Sequence, residues 1–244
     1  MAVCWKPRKY PALPNLSPPL LRVGCMVGEN ATGEADNQQG SRQLDLFDDW
    51  LTPQRLHAEL LAASNKSLEC YLQGALRDGT RSVRHRTHRI GQSDLMWIEL
   101  LKEALRILEF RSWIYKEGRS RRLWILETTA PFLSVGFDAS HLVGCPEGID
   151  YVRGYFDAEG GMPRRSEARL YLQLTQKDRS NLESVRDILE SEDIRCGRIH
   201  NPSVRVDPEY WRFFVRAESH GRFMSTVGSW HPRKRKQIET RMKI

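Results

Sequence analysis

Two short stretches of this chain place an acid directly before a glycine, at the end of a segment with helical apolar spacing. In Asp150–Gly161, DYVRGYFDAEGG, the acid is Glu159; in Cys70–Gly79, CYLQGALRDG, it is Asp78. Each acid follows a small residue by about one helical turn, Gly154 in the longer stretch and Gly74 with Ala75 in the shorter. A glycine inside a helix costs up to about 1 kcal/mol relative to alanine. That cost is offset if the missing side chain lets a second helix backbone come close. Two such helices packed side by side bring their acids together at their carbonyl ends, where the helix dipoles disfavour anions and favour cations. A carboxylate pair in that position suits a hard divalent ion. Helical spacing lines Ile149, Val152, Phe156 and Glu159 along one side. Gly79 and Gly160 are expected to end the helices in left-handed turns. A single Asp-Gly or Glu-Gly would mark no more than such a turn, and it is the repetition that points to a site.

The elements that must carry these acids also occur twice. From Ser67 the chain reads helix, two strands, helix, two strands, helix, and from about Glu147 it reads the same way again. The first pass runs through Cys70–Gly79, the basic stretch Arg81–Arg89, Gln92-Ser-Asp94, a helix over Trp97–Leu108, and strands at Arg111–Tyr115 and Arg122–Glu127. The second runs through Asp150–Gly161, Arg164–Leu174, Gln176-Lys-Asp178, a helix over Leu182–Leu189, and strands at Arg195–Ile199 and Trp211–Arg216. The offset is 80 from Gly74 to Gly154 and 84 from Gln92 to Gln176, which fits a shorter first hairpin. This pattern predicts an α/β (α+β) protein of two pseudo-symmetric αββαββα halves, with saddle-shaped antiparallel sheets and a central two-helix interface at Gly74 and Gly154. The halves are expected over 51–136 and 149–244, joined by a linker at 137–148. Residues 1–50 form a leader rich in Pro, Gly and polar residues, expected to be mostly disordered. Thr52-Pro53 has the form of a helix N-cap with proline at the first helical position, and Leu56, Leu60 and Leu61 should share one face of the helix that follows.

Lys and Arg outnumber Asp and Glu by 38 to 31, a formal charge of +7, so a polyanionic partner such as nucleic acid is favoured. The basic residues cluster where a reading surface would need them. Arg81, Arg84, Arg86 and Arg89 follow the first motif, and Arg164, Arg165 and Arg169, with Arg198, Arg205 and Arg212 later, follow the second. The basic run His231–Lys236 is a candidate phosphate clamp. The five cysteines form no C-x-x-C pair, which suits a reducing compartment; Cys196 with His200 lacks a second ligand pair, so no zinc is assigned. No apolar run approaches the roughly 20 residues that span a bilayer, so a soluble, cytoplasmic protein is expected, nucleoid-associated or organellar according to host, with no membrane partner.

The second motif, from Tyr151 to Gly160, resembles the signature of the LAGLIDADG homing endonucleases in their single-chain, two-repeat form. The resemblance continues through Leu172–Asp178, Leu182–Ile194 and Val227–Lys236, covering roughly residues 67–240. The first motif is one residue shorter between Gly74 and its acid. The family resemblance implies a monomer that cuts double-stranded DNA at a long target site. It implies Mg²⁺ or Mn²⁺ held by Asp78 and Glu159, with Gln173 positioning water and Lys234 stabilising phosphate charge. At the position matching Gln173 the first half carries Arg89, and Ala130–Gly136 offers no lysine, so the centre is expected to be asymmetric. It further implies an intron-encoded or mobile element, and the ends of the chain, without splicing blocks, suggest a free-standing enzyme. The alternative is a catalytically inactive DNA- or RNA-binding protein of the same fold, an intron maturase or a transcription regulator. The pentapeptide of Gln43, Leu44, Asp45, Leu46 and Phe47 resembles the short motif by which bacterial DNA polymerases and repair proteins bind the sliding clamp. Its other reading is a first helical turn packed on the domain.

Overall fold

The structure, a computed structural model, describes residues 54–118, 121–165 and 167–242. The leader, the pentapeptide at 43–47 and the Thr52-Pro53 cap lie outside the described residues. Helix α1 spans 54–62, with Leu56 and Leu60 buried, while Leu61, expected on the same face, is 56 % exposed. Ser64 then caps α2 (Asn65–Ala75), its side chain accepting the Ser67 N–H at 3.1 Å. A short 3₁₀ turn, Leu76–Asp78, leads into β1 (Gly79–Ser82) and β2 (Thr87–Gln92). Next come α3 (Leu95–Ile107), β3 (Ser112–Lys116) and β4 (Trp124–Thr128). Helix α4 (Pro146–Glu159) opens the second half with proline in its first turn, followed by β5 (Gln173–Gln176), α5 (Arg179–Ser191), β6 (Trp211–Phe214), α6 (His220–Thr226) and α7 (Pro232–Met242).

The repeated Gln-x-Asp has the same job in both halves. Asp94 accepts the N–H groups of Met96 and Trp97 as the N-cap of α3, and Asp178 accepts that of Asn181 as the N-cap of α5. The first sheet is four-stranded and antiparallel, in the order β1-β2-β4-β3. Its inner face is packed by α3, where Ile90 and Leu126 join Trp97, Leu101 and Leu105 in the first core.

The second half departs from the expected symmetry. Its sheet is the pair β5-β6, in which only Gln173 and Leu174 of the predicted strand at Arg164–Leu174 take part; the predicted strand at Arg195–Ile199 contributes Cys196 through an isolated bridge to Val215, and further bridges join Gly161 to Gln173 and His200 to Arg212. Pro163, just ahead of Arg164–Leu174, cannot donate to a ladder, and in the segment itself Leu172 and Leu174 reach the core while Arg164, Arg165 and Arg169 stay exposed. The closing helix expected in the first half is also missing. Residues 129–139 there are irregular, and the linker holds a single 3₁₀ turn, Ser140–Leu142, before α4 starts at Pro146. The end of the second half instead crosses to the first. Trp230 packs in the first core and donates to Glu59 of α1 at 3.0 Å, and Arg235 pairs with the same carboxylate at 2.8 Å. Among the described residues no helix is long and apolar enough to cross a membrane.

Helices α2 and α4 meet backbone to backbone. A Cβ built on Gly74 would lie 2.7 Å from Tyr155 N, and one on Gly154 would lie 2.9 Å from Ala75 N, with the Tyr151 and Tyr71 carbonyls nearer still. A rigid backbone on the far side cannot yield as a side-chain tip would, so any side chain here must separate the helices. Gly154→Ala is therefore expected to lower stability by about 3 kcal/mol in urea unfolding, although alanine is the better helix former. Gly221→Ala in α6, with nothing within 4 Å, should be neutral or stabilising by up to about 1 kcal/mol.

Candidate functional site

The glycine seam continues straight into the acids. Its first consequence is a pair of hydrogen bonds across the two helices at repeat-equivalent positions, 80 apart. Tyr71 Oη donates to Asp157 at 2.8 Å, and Arg77 Nε donates to Tyr151 Oη at 2.9 Å. Each tyrosine also accepts from the equivalent residue of the next helix, Trp97 Nε1 at 2.9 Å in one half and Asn181 Nδ2 at 3.0 Å in the other. One residue beyond Arg77 comes Asp78, and two beyond Asp157 comes Glu159.

The shortened first motif still delivers its acid to the right level. Residues Leu76–Asp78 wind as a 3₁₀ turn, whereas α4 stays α-helical through Glu159. One α step and three 3₁₀ steps carry Asp78 about 7.5 Å beyond Gly74 along the axis, the same advance that five α steps give Glu159 beyond Gly154. The terminating glycines differ from expectation. Gly79 and Gly160 both have negative φ, −115° and −74°, so the helices end by running into extended backbone rather than through a left-handed turn.

Burial first, and then the charge of Asp78, raise the Glu159 carboxyl to about 7 against the opposing charge of Lys234, with no hydrogen bond among the causes. Asp78 stands at the surface, but the atoms crowded around it raise its pKa to about 6 against a hydrogen bond from Gln92 and the charge of Lys234. Among the described residues no three His, Cys, Asp or Glu side chains surround a common point. Mg²⁺ is ordinarily held by one or two carboxylates, with water and phosphate oxygens completing its shell. Two converging carboxylates, one of them with no hydrogen bond to satisfy it, fit that ion. Gln92 was not singled out as a site residue in the sequence; its signal was membership of the repeated Gln-x-Asp.

Lys234 is placed beside the acids but faces inward. Its Nζ, 6 % exposed as a residue, donates to the carbonyls of Phe156, Asp157 and Gly160, the last at 2.8 Å, and so closes the open end of α4. Burial lowers its pKa to about 8, against the pull of Asp157, Glu159 and Asp78. The expectation of a lysine free to meet phosphate is corrected by those three carbonyls. Asp157, an acid in the middle of a buried helix face, is the other residue that the sequence left unread. It accepts from Tyr71, Ser229 and the backbone N–H groups of Trp230 and His231. Burial pushes its carboxyl up, and Lys234 and these donors hold it down.

The predicted contact residues fall into two groups. Arg81, Arg84, Arg86, Arg164, Arg165, Arg169, Arg198 and Arg205 are exposed. Arg86 adopts a left-handed φ of 54° in the first hairpin turn. Arg89 and Arg212 are partly buried and engaged. Arg89 Nη2 donates to Tyr115 Oη at 2.7 Å, while Arg212 lies 5.2 Å from the centre of the Phe214 ring with Nε 3.4 Å from His200. By register Arg89 faces Glu127 and Gln173 faces Phe214, so the two are equivalent on their sheets; Gln173 Nε2 reaches Tyr210 Oη at 3.4 Å. It is Gln92, not Arg89, that touches the acid of the first half.

Residues 149–228 match the family described as LAGLIDADG-like domain. No curated protein matches the chain. Among solved structures, the N-terminal LAGLIDADG domain of DUF199/WhiA is 16 % identical, covering 72 % of this chain and 91 % of its own, with a TM-score of 0.54. Mesophilic variants of the homing endonuclease I-DmoI are 17 % identical over 73 % of this chain and 100 % of theirs, with a TM-score of 0.52. A variant of I-DmoI in complex with its nicked target DNA in the presence of Mn is 17 % identical over 68 % of this chain and 97 % of its own, with a TM-score of 0.50. At these identities the likeness shows the fold.

The coupling of the acids gives a pH signature in metal-free buffer. Raised carboxyl pKa values mean that the folded state holds protons the unfolded chain releases, so this contribution is present below about pH 4 and is lost as pH rises through the folded values of about 6 and 7. Glu159→Gln removes the penalty. Its stability relative to the parent protein should therefore be greater at pH 8 than at pH 5, by on the order of 1–2 kcal/mol after allowance for solvent screening. Urea unfolding in chelator measures it, and an equal difference at both pH values would show that the acid is not held as described.

Proposed function

We propose that this chain, whose second half is a LAGLIDADG-like domain and whose fold is that of the LAGLIDADG proteins, is a site-specific double-stranded DNA endonuclease dependent on Mg²⁺ or Mn²⁺. The observation that carries the reading is the convergence of Asp78 and Glu159 at the carbonyl ends of two helices whose backbones meet at Gly74 and Gly154. The fold alone does not choose cutting, since it is shared by I-DmoI and by DUF199/WhiA. That the I-DmoI variant is described with target DNA and Mn supports the choice of substrate and metal.

Asp78 and Glu159 would hold the ion. When bound there it supplies a Lewis acid beside the phosphodiester. The protein's own residues prepare the place. Gln92 fixes the orientation of the Asp78 carboxylate by donating to it. Gln173, two residues before Thr175 in β5, would order water. Thr175 Oγ1 donates to the Glu159 carbonyl at 3.1 Å and so ties that strand to the acid. Lys234 acts from below, keeping a positive charge near both carboxylates and the end of α4 closed. The exposed arginines of both halves supply the charge that draws and positions the duplex. Because both acids belong to one chain, a monomer suffices. An intron-encoded or mobile origin and a cytoplasmic or organellar location complete the reading.

Purified protein with Mg²⁺ is expected to linearise a plasmid carrying its own insertion locus. Asp78→Asn and Glu159→Gln should each reduce the cleavage rate at least a hundredfold while duplex binding survives. The inward-facing Lys234 motivates a second reading, a binder of the same fold that does not cut. Tight binding without cleavage across Mg²⁺, Mn²⁺ and candidate loci would establish that reading in place of the first.

The pentapeptide at 43–47, outside the described residues, supports a second partner, the bacterial sliding clamp. Alanine at both Leu46 and Phe47 is expected to abolish pull-down of the protein by the clamp. Capture that is unchanged by the substitutions removes this partner.

A further inference from the structure

The open face of the first sheet carries a side-chain network that the cleavage centre does not use. Register sets Thr80, Arg89, Glu127 and Trp113 in one row across the four strands. Thr87 and Tyr115 lie on the same face, two residues along their strands from members of that row. Glu127, 8 % exposed, accepts from Thr87 Oγ1 and from Tyr115 Oη, the latter at 3.1 Å. Tyr115 Oη accepts from Arg89 Nη2 at 2.7 Å, and the same nitrogen lies 3.4 Å from Glu117. Every one of these Arg89 contacts runs through Nη2. Nη1 takes part in none of them, Nε is buried with no partner among the described residues, and the Arg89 side chain keeps 33 % of its surface open.

This bracing separates Arg89 from the exposed arginines at the hairpin tip. Phosphate contacts need charge and tolerate motion, whereas a base contact needs donors fixed in direction. Glu117 and Glu127 beside a DNA-facing arginine weaken any attraction to phosphate, so a cation serving the backbone alone would be worse for their presence. A donor that must point one way is better for it. Of the four bases, guanine shows two adjacent acceptors, N7 and O6, in the major groove, while adenine shows an acceptor beside a donor.

Resting on the DNA-binding reading above, we infer that Arg89 is a specificity-determining residue that presents the two N–H groups of its uncommitted Nη1 to a guanine in the first half-site. Tyr115 and Glu127 are its positioning residues. The exposed Arg84 is a phosphate contact.

The test is selection of bound sites from a randomised duplex pool by the full-length protein, in Ca²⁺ without Mg²⁺, followed by salt titration on the best site. Arg89→Ala should flatten one column of the selected sequence, a guanine in the parent, and weaken binding to the best site roughly ten- to a hundredfold while the other columns persist. Tyr115→Phe, which removes only the hydroxyl, should weaken preference in that same column with an unchanged salt slope. Arg84→Ala should keep every column and reduce the slope of log K against log salt by about 1. If Arg89→Ala keeps every column and lowers the salt slope as Arg84→Ala does, Arg89 is a phosphate contact and the inference fails. Arg89→Ala and Tyr115→Phe proteins that both select the parental sequence also overturn it. If the parent protein itself enriches no sequence, the DNA-binding reading fails, and the inference with it.

Discussion

Everything in this molecule depends on two helix backbones approaching as closely as backbones can. Gly74 and Gly154 each face the carbonyl of a tyrosine on the opposite helix, and neither position has room for a methyl group. Packing at that distance does more than bury apolar area. It fixes the axial level of the helices against each other, so that Tyr71 meets Asp157 and Tyr151 meets Arg77, and it sets where the helices end. The acids owe their convergence to this seam, not to any contact of their own.

Convergence is electrostatically unfavourable, and the surroundings show how it is tolerated. Two carboxylates are gathered at the negative ends of two helix dipoles, with Glu159 partly buried. Lys234 answers from inside, bound to three carbonyls at the end of α4 and sharing its charge among Asp157, Glu159 and Asp78. Removing a cation from water to serve main-chain oxygens costs free energy that burial alone would never repay. Its place here follows from the excess of negative charge that the seam creates. The centre is thus stabilised from the inside by Lys234, while Glu159 takes no hydrogen bond on its carboxyl among the described residues.

Much of this was legible in the sequence because it is written in local spacing. The glycines, the acids behind them and the repeated Gln-x-Asp caps follow from helical period and capping chemistry, each decided within a few residues. What could not be read depends on partners far along the chain. Lys234 looks like one more member of a basic run until the carbonyls of residues 156–160 are placed against it. Arg89 looks like a free contact residue until the register of β2 on β4 and β3 on β4 brings Glu127 and Tyr115 to it. The second sheet was overpredicted for a related reason. Arg164–Leu174 has a strand's place in the repeat, but only Gln173 and Leu174 at its end pair with β6, and periodicity says nothing of pairing. The 3₁₀ turn at Leu76–Asp78 was visible only as a missing residue.

One repeat-equivalent pair has exchanged sign, and with it the meaning of the two halves. Asp157 grips the chain behind α6 by its amide hydrogens, at Trp230 and His231; Arg77, 80 positions earlier, grips the chain behind β4 by its carbonyl oxygens, at Val135 and Phe137. Gln73 and Arg153, another equivalent pair, also differ, the first exchanging both kinds of bond with Ser134 and the second only donating, to Thr226 and Val227. The halves are similar in outline and differ in polarity. What Asp157 grips, at Trp230 and His231, lies in its own half, and what Arg77 grips, at Val135 and Phe137, lies in the stretch that follows β4 of its own. The two segments that close the seam are thus told apart by charge: one is held through its N–H groups by an acid, the other through its carbonyls by a base, and neither grip could serve the other's segment.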